Sequence, residues 1–215
     1  IETPVAALKA ATQEVINAAD VAKNMLNDSL ISLIEDSESK IDSVLQNEEK
    51  LNIMQTEITQ YLVEISRRDL DSDQSSRIPA LINTINNFER VGDHCEDITE
   101  LSRSKINRKI IFSEKGINEL ETLYQEVMNM MSECCLAYSK DDAELALQAA
   151  AREDVVDELT LKFKEKHIRR LEEGTCSVQA GVIFLDAITH LERIADHLHN
   201  VCLIVVEGRH YGDKE

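Results

Sequence analysis

Apolar residues recur at three- and four-residue steps through most of the chain, the period of a helix that buries one face. Phe184, Ile188, Leu191, Ile194, Leu198, Val201 and Val205 form one such seam. Ile78, Leu81, Ile85, Phe88, Val91, Cys95 and Ile98 form another. The pattern predicts six helices, at roughly 4–35, 38–68, 74–106, 114–139, 141–172 and 176–207. The first follows Thr3-Pro4, a capping residue with proline at the first helical position. Asp71-Ser72-Asp73 and Glu173-Gly174-Thr175 break the chain before the third and sixth. Segments of this length exceed the usual helix, and short connections between sustained seams favour long antiparallel bundles.

The pattern also repeats. Phe88-Glu89-Arg90-Val91-Gly92-Asp93-His94 returns as Leu191-Glu192-Arg193-Ile194-Ala195-Asp196-His197, 103 positions later. Upstream, Glu48-Glu49-Lys50-Leu51-Asn52 lies against Glu153-Asp154-Val155-Val156-Asp157, 105 positions later. The expected fold class is therefore all-α: two pseudo-symmetric antiparallel three-helix bundles, residues 1–108 and 109–215. The boundary falls near 107–113.

Composition agrees and narrows the chemistry. The chain has 215 residues, six glycines, two prolines and no tryptophan, and 43% of it is hydrophobic, enough to fill a core. A formal net charge of −18 argues against nucleic acid as a partner. The local basic runs, at Arg103, Lys105, Arg108 and Lys109 and from Lys162 to Arg170, fall late in predicted helices. There they offset the negative dipole end. Cys95, Cys134, Cys135, Cys176 and Cys202 are odd in number and form no Cys-x-x-Cys pair. They read as reduced, mostly core residues of a cytoplasmic protein. The longest apolar run, Val201 to Val206, is too short for a bilayer. No signal peptide is visible, and the start at Ile1 suggests a processed chain or an excised fragment.

Beside the seams run carboxylates. Glu192, Asp196 and Asn200 follow at four-residue spacing on the last helix, and Glu89, Asp93 and Asp97 do so on the third. On the second and fifth helices Glu48 and Glu153 occupy seam positions where an apolar residue is expected. Small residues from Ala149 to Ala151 would let a neighbouring helix approach Glu153 closely. Like charges near a partly buried seam repel unless a cation or a proton relieves them. Arg90 and Arg193 leave the helix about 100° from the neighbouring carboxylates and are not expected to supply that relief. Inward carboxylates from adjacent helices are how helical bundles build metal sites. A single Glu-x-x-x-Asp pair is ordinarily a solvated helix face; duplication strengthens the metal reading without excluding the solvated one. His94 and His197 follow the aspartates, face elsewhere, and are read as structural or as supporting the ligands, not as ligands themselves. The cluster of Met128, Met130 and Met131 is read as packing.

At these residues the sequence resembles the PhoU family, whose hallmark is a duplicated three-helix bundle with repeated Glu/Asp-x-x-x-Asp motifs. The two hexapeptides match its motif helices, and Glu153-x-x-x-Asp157 matches the partner-helix motif. Glu48-x-x-x-Asn52 departs from it, with an amide in place of the aspartate. The resemblance covers essentially the whole chain. It implies two metal sites, drawn from Glu48, Asn52, Glu89, Asp93 and Asp97 in the first half, and from Glu153, Asp157, Glu192, Asp196 and Asn200 in the second. Multinuclear iron is the implied cofactor in some members, with Zn, Mn or Mg as other candidate ions. It further implies a regulatory role in phosphate uptake.

Glu2-Thr3-Pro4-Val5-Ala6-Ala7-Leu8 resembles the segment that opens the cytoplasmic PhoU-like tail of bacterial sodium/phosphate cotransporters. The leading expectation is such a tail: a non-enzymatic, metal-binding module at the inner face of the membrane. The alternative is a free-standing regulator between a phosphate ABC transporter and a sensor kinase. Expected partners are a transporter membrane domain, on the same or a separate polypeptide, inorganic phosphate, and a second copy of the chain. A rival from another class, a ferritin-like di-iron enzyme, needs paired Glu-x-x-His motifs. The one such spacing is Glu207-x-x-His210.

Overall fold

Helices alone make up the secondary structure of residues 3–208, the part that the computed structural model describes. They are α1 (Pro4–Glu35), α2 (Glu38–Ser66), α3 (Ser72–Asn107), α4 (Glu114–Lys140), α5 (Ala143–Ala150), α6 (Arg152–Glu172) and α7 (Val178–Val206). Capping chemistry sets most of their starts. Thr3 accepts from the Ala6 amide ahead of α1, and Asp71 and Gln74 form a reciprocal capping box at α3. Ser113, Asp142 and Ser177 cap α4, α5 and α7 in the same way. His210 lies outside the described residues; Glu207 caps the end of α7.

The predicted fifth helix is two. The chain turns at Ala151, between α5 and α6. Nothing local foretells this, because a run of alanines favours continuous helix. The break coincides with a tertiary contact. Arg152, the first residue of α6, makes a forked pair with Glu133 at 2.7 Å and also bonds Glu126, both on α4.

Helices α1–α3 pack together, as do α4–α7, and α3 lies along α7 between them. The expected division between residues 108 and 109 falls in the α3–α4 connection, where Ile110 and Phe112 are buried. The buried side chains of both halves, from Ala7 to Val205, form one continuous cluster. Burial along 81–100 is repeated at 184–203 position by position, with Asp97 and Asn200 as the one mismatch. The duplication is thus visible in packing as well as in sequence. Gly92 shows how tightly: a Cβ there would sit 2.7 Å from Leu51 Cδ2 of α2.

The basic runs do more than offset dipoles. Lys105 is buried, pairs with Asp36 at the end of α1, and lies over the Phe112 ring. Arg170 reaches Glu119 of α4 with two bonds, of 3.0 and 2.6 Å. Burial pushes the Cys95 and Cys135 thiols up to about 12, so neither is a thiolate at neutral pH. No helix among the described residues is long and apolar enough to cross a membrane.

His167 is a buried core histidine stacked on Phe184, with ring centroids 4.4 Å apart. The Arg170 guanidinium lies 2.9 Å from Nδ1, which must therefore accept. Burial first, and then the Arg170 charge, hold its pKa below the ordinary 6.5. The unfolded chain thus binds a proton at a pH where the fold does not. This contribution is fully present above pH 6.5 and is lost as pH falls below it. The expected result is a denaturation midpoint that drops between pH 7 and pH 5, with a shallower drop in His167→Gln, read by urea titration at each pH.

Candidate metal centre

The site starts from helix geometry. At 3.6 residues per turn, a step of four overshoots one turn by about 40°, and a step of seven falls about 20° short of two. Residues i, i+4 and i+7 therefore share a face, while i+8 has drifted by about 80°. On α7 the shared face carries Glu192, Asp196 and His199; on α3 it carries Glu89, Asp93 and Glu96.

In the second half this face meets α6. Donor oxygens of Glu153, Asp157 and Asp196 all lie within 4.8 Å of one another. Glu192 is held aside by Lys164 of α6, whose ammonium is 2.9 Å from Oε2. His199 Nδ1 is buried without a hydrogen-bond partner and lies 3.7 Å from Glu153 Oε2. Desolvation, and next the Asp157 charge, raise the Glu153 pKa. Desolvation, followed by Glu192 and Asp196, raises that of Asp157. Crowded oxygens with an unbonded imidazole beside them form a donor set that a hard or borderline cation fits.

The first half is a weaker copy. The Asn52 amide donates to Glu48, an internal bond that occupies the carboxylate a cation would use. Glu89 is raised by desolvation, then by Asp93, with Glu48 of α2 adding to it. Glu96 is raised by desolvation and then by Glu48. Glu48, Glu89, Asp93 and Glu96 thus face one groove, with an amide at the position where the second half has Asp157.

Two predicted members turn away from both grooves, as the helical drift requires. Asp97 lies against α7, 3.4 Å from His190 Nδ1 and 3.5 Å from His94 Nδ1. Asn200 lies against α3, with its amide 3.4 Å from Asn87 Oδ1. Four-residue spacing put them on the stripe; seven-residue spacing would have found Glu96 and His199 instead. The carboxylates also line a half-exposed groove between helices, not the bundle interior. The arginines depart from expectation too. Arg90 is 3.1 Å from Asp93 and Arg193 is 3.3 Å from Asp196, pairs at i,i+3 that a long side chain spans easily. Both arginines are largely exposed, so these pairs stabilise little.

His94 and His197 stack on one another between α3 and α7, with centroids 5.6 Å apart. Burial lowers both pKa values, with His190 adding to the effect at His94 and His94 at His197.

A family model for the PhoU domain matches residues 15–102 and 120–205. The chain is 26% identical over 182 residues to the phosphate-specific transport system accessory protein PhoU homolog 1 of Thermotoga maritima, covering 84% of this chain and 78% of that one. It is 21% identical to YjbB of Salmonella typhimurium, named for a proposed inorganic phosphate export role, covering 96% of this chain but 38% of that protein. The crystal structure of PhoU from Pseudomonas aeruginosa superposes with a TM-score of 0.89 at 21% identity, over 94% of this chain and 96% of that one.

Proposed function

The chain belongs to the PhoU domain family, and from that premise we propose that it is a regulatory module of phosphate transport whose helix grooves hold metal cations. The observation that carries the metal part is the convergence of Glu153, Asp157 and Asp196, with the unbonded His199 nitrogen beside them. Glu153, Asp157 and Asp196 would hold the ion, His199 would add a nitrogen, and the Lys164–Glu192 pair would close one end of the groove. A bound cation supplies positive charge to an acidic face, which suits an oxyanion or a partner's carboxylate. Oxygen-rich donors favour iron, manganese or magnesium over softer ions.

The transport part rests on what the relatives are named for. The match over most of a phosphate transport accessory protein supports the free-standing form, a regulator acting on a separate transporter. The cotransporter-tail form draws on the opening segment, whose Glu2 lies outside the described residues, and on the span of 38% of YjbB. In either form the module works at the cytoplasmic face of the cell membrane, by docking and not by catalysis. The test is genetic. Cells lacking this coding region should lose the normal dependence of phosphate uptake on external phosphate. The wild-type chain should restore it, and an Asp157→Asn/Asp196→Asn chain should not. Identical uptake in the deleted and parent cells would contradict the regulatory reading.

A further inference from the structure

A second set of donor atoms lies outside both grooves, where α3 packs on α7. His94 Nδ1 and His190 Nδ1 are 3.2 Å apart, and Asp97 Oδ2 is 3.5 Å from the first and 3.4 Å from the second. The three atoms make a nearly equilateral triangle. A tetrahedral zinc ion with bonds of about 2.0–2.1 Å places its ligand atoms about 3.3–3.4 Å apart, so the triangle has the dimensions of one tetrahedral face.

Hydrogen bonding alone serves this cluster poorly. Both nitrogen-to-carboxylate separations exceed the usual range of about 2.7–3.2 Å for N–H···O bonds. If each Nδ1 carries a proton toward Asp97, the two N–H groups also crowd each other at 3.2 Å. If one lacks it, that nitrogen accepts from the other ring at 3.2 Å, and Asp97 is left without a close side-chain donor of its own. A cation satisfies all three acceptors together.

The duplication supplies an internal comparison. The counterparts of His190, His94 and Asp97 in the other half are Asn87, His197 and Asn200. There His197 Nδ1 and Asn87 Oδ1 are 3.0 Å apart, an ordinary hydrogen bond. One imidazole with two amides suits hydrogen bonding; two imidazoles with a carboxylate suit a metal.

We propose that His94, Asp97 and His190 bind one divalent ion of the zinc class, tying α3 of the first half to α7 of the second. Three protein ligands leave a fourth position for water or an oxyanion. The site shares no ligand with the carboxylate grooves, so it stands or falls separately from the transport reading.

The experiment is zinc titration of the metal-free full chain against a chromophoric chelator, in an Asp157→Asn/Asp196→Asn background that weakens groove binding. One equivalent should bind, and His190→Asn should weaken it by roughly 100-fold, the upper range already seen when mere supporting residues of metal sites are changed. His190→Asn copies the residue found at the related position, so its metal-free thermal denaturation should match that of the background. In parallel, the imidazole NMR signals of His94 and His190 should shift with the first equivalent of zinc. Unchanged zinc affinity in His190→Asn, or unmoved His94 and His190 signals, would overturn the proposal.

Discussion

An Asp157→Asn/Asp196→Asn chain will bind Mn2+ at least about 100-fold more weakly than the wild type at its tighter groove, because two of three convergent carboxylates lose their charge while only supporting contacts typically cost 10–100-fold. The same change in the first half, Glu48→Gln/Glu89→Gln, should cost less overall, since Asn52 already ties up Glu48 there. Isothermal titration of both variants measures the difference. The double variant should also stay folded. Desolvation, followed by the charges of Glu192 and Asp196, raises the Asp157 pKa, so Asp157 favours the fold when protonated and opposes it as pH rises through the raised value. At neutral pH, removing the repulsion should leave the metal-free variant as stable as wild type or more so. Loss of metal binding accompanied by a folding defect would assign these aspartates to structure.

Phe88→Ala will destabilise the protein by about 3–5 kcal/mol, the usual loss for a fully buried aromatic side chain. Phe88 is 0% exposed on α3, and its ring meets the edge of Tyr138 on α4 at 6.5 Å, at 90°. That contact crosses from the first half to the second, within a core that is continuous between them. Urea unfolding should therefore show one transition that moves to lower denaturant without splitting. A separate, unmoved transition for residues 109–215 would show that the halves fold independently. The loss should exceed that of Leu191→Ala, the counterpart on α7, because an edge-to-face ring contact is worth about 0.5–1.5 kcal/mol beyond its area.

Much of this molecule is legible from its sequence, for identifiable reasons. The seams of α3 and α7 are read correctly because buried residues such as Phe88, Ile98, Leu191 and Val205 belong to runs that keep helical spacing over about six turns. The duplication is legible because a hexapeptide and its offset are discrete facts. The break at Ala151 is not, since it accompanies Arg152 reaching across to Glu126 and Glu133, a contact between helices that local propensity does not encode. The grooves are half legible. Glu153, Asp157 and Asp196 follow from the motif, whereas Asp97 and Asn200 require counting angle instead of residues. The cluster of His94, Asp97 and His190 is illegible in one dimension, because its members lie up to 96 positions apart and meet only when α3 lies along α7.

These readings converge on the second-half groove as a cation site. The most direct test is anomalous diffraction from crystals of the full chain grown with Mn2+. Cation binding there predicts a peak between α6 and α7, within about 2.0–2.6 Å of carboxylate oxygens from Glu153, Asp157 and Asp196. A map from metal-soaked crystals with no anomalous density in that groove would contradict it.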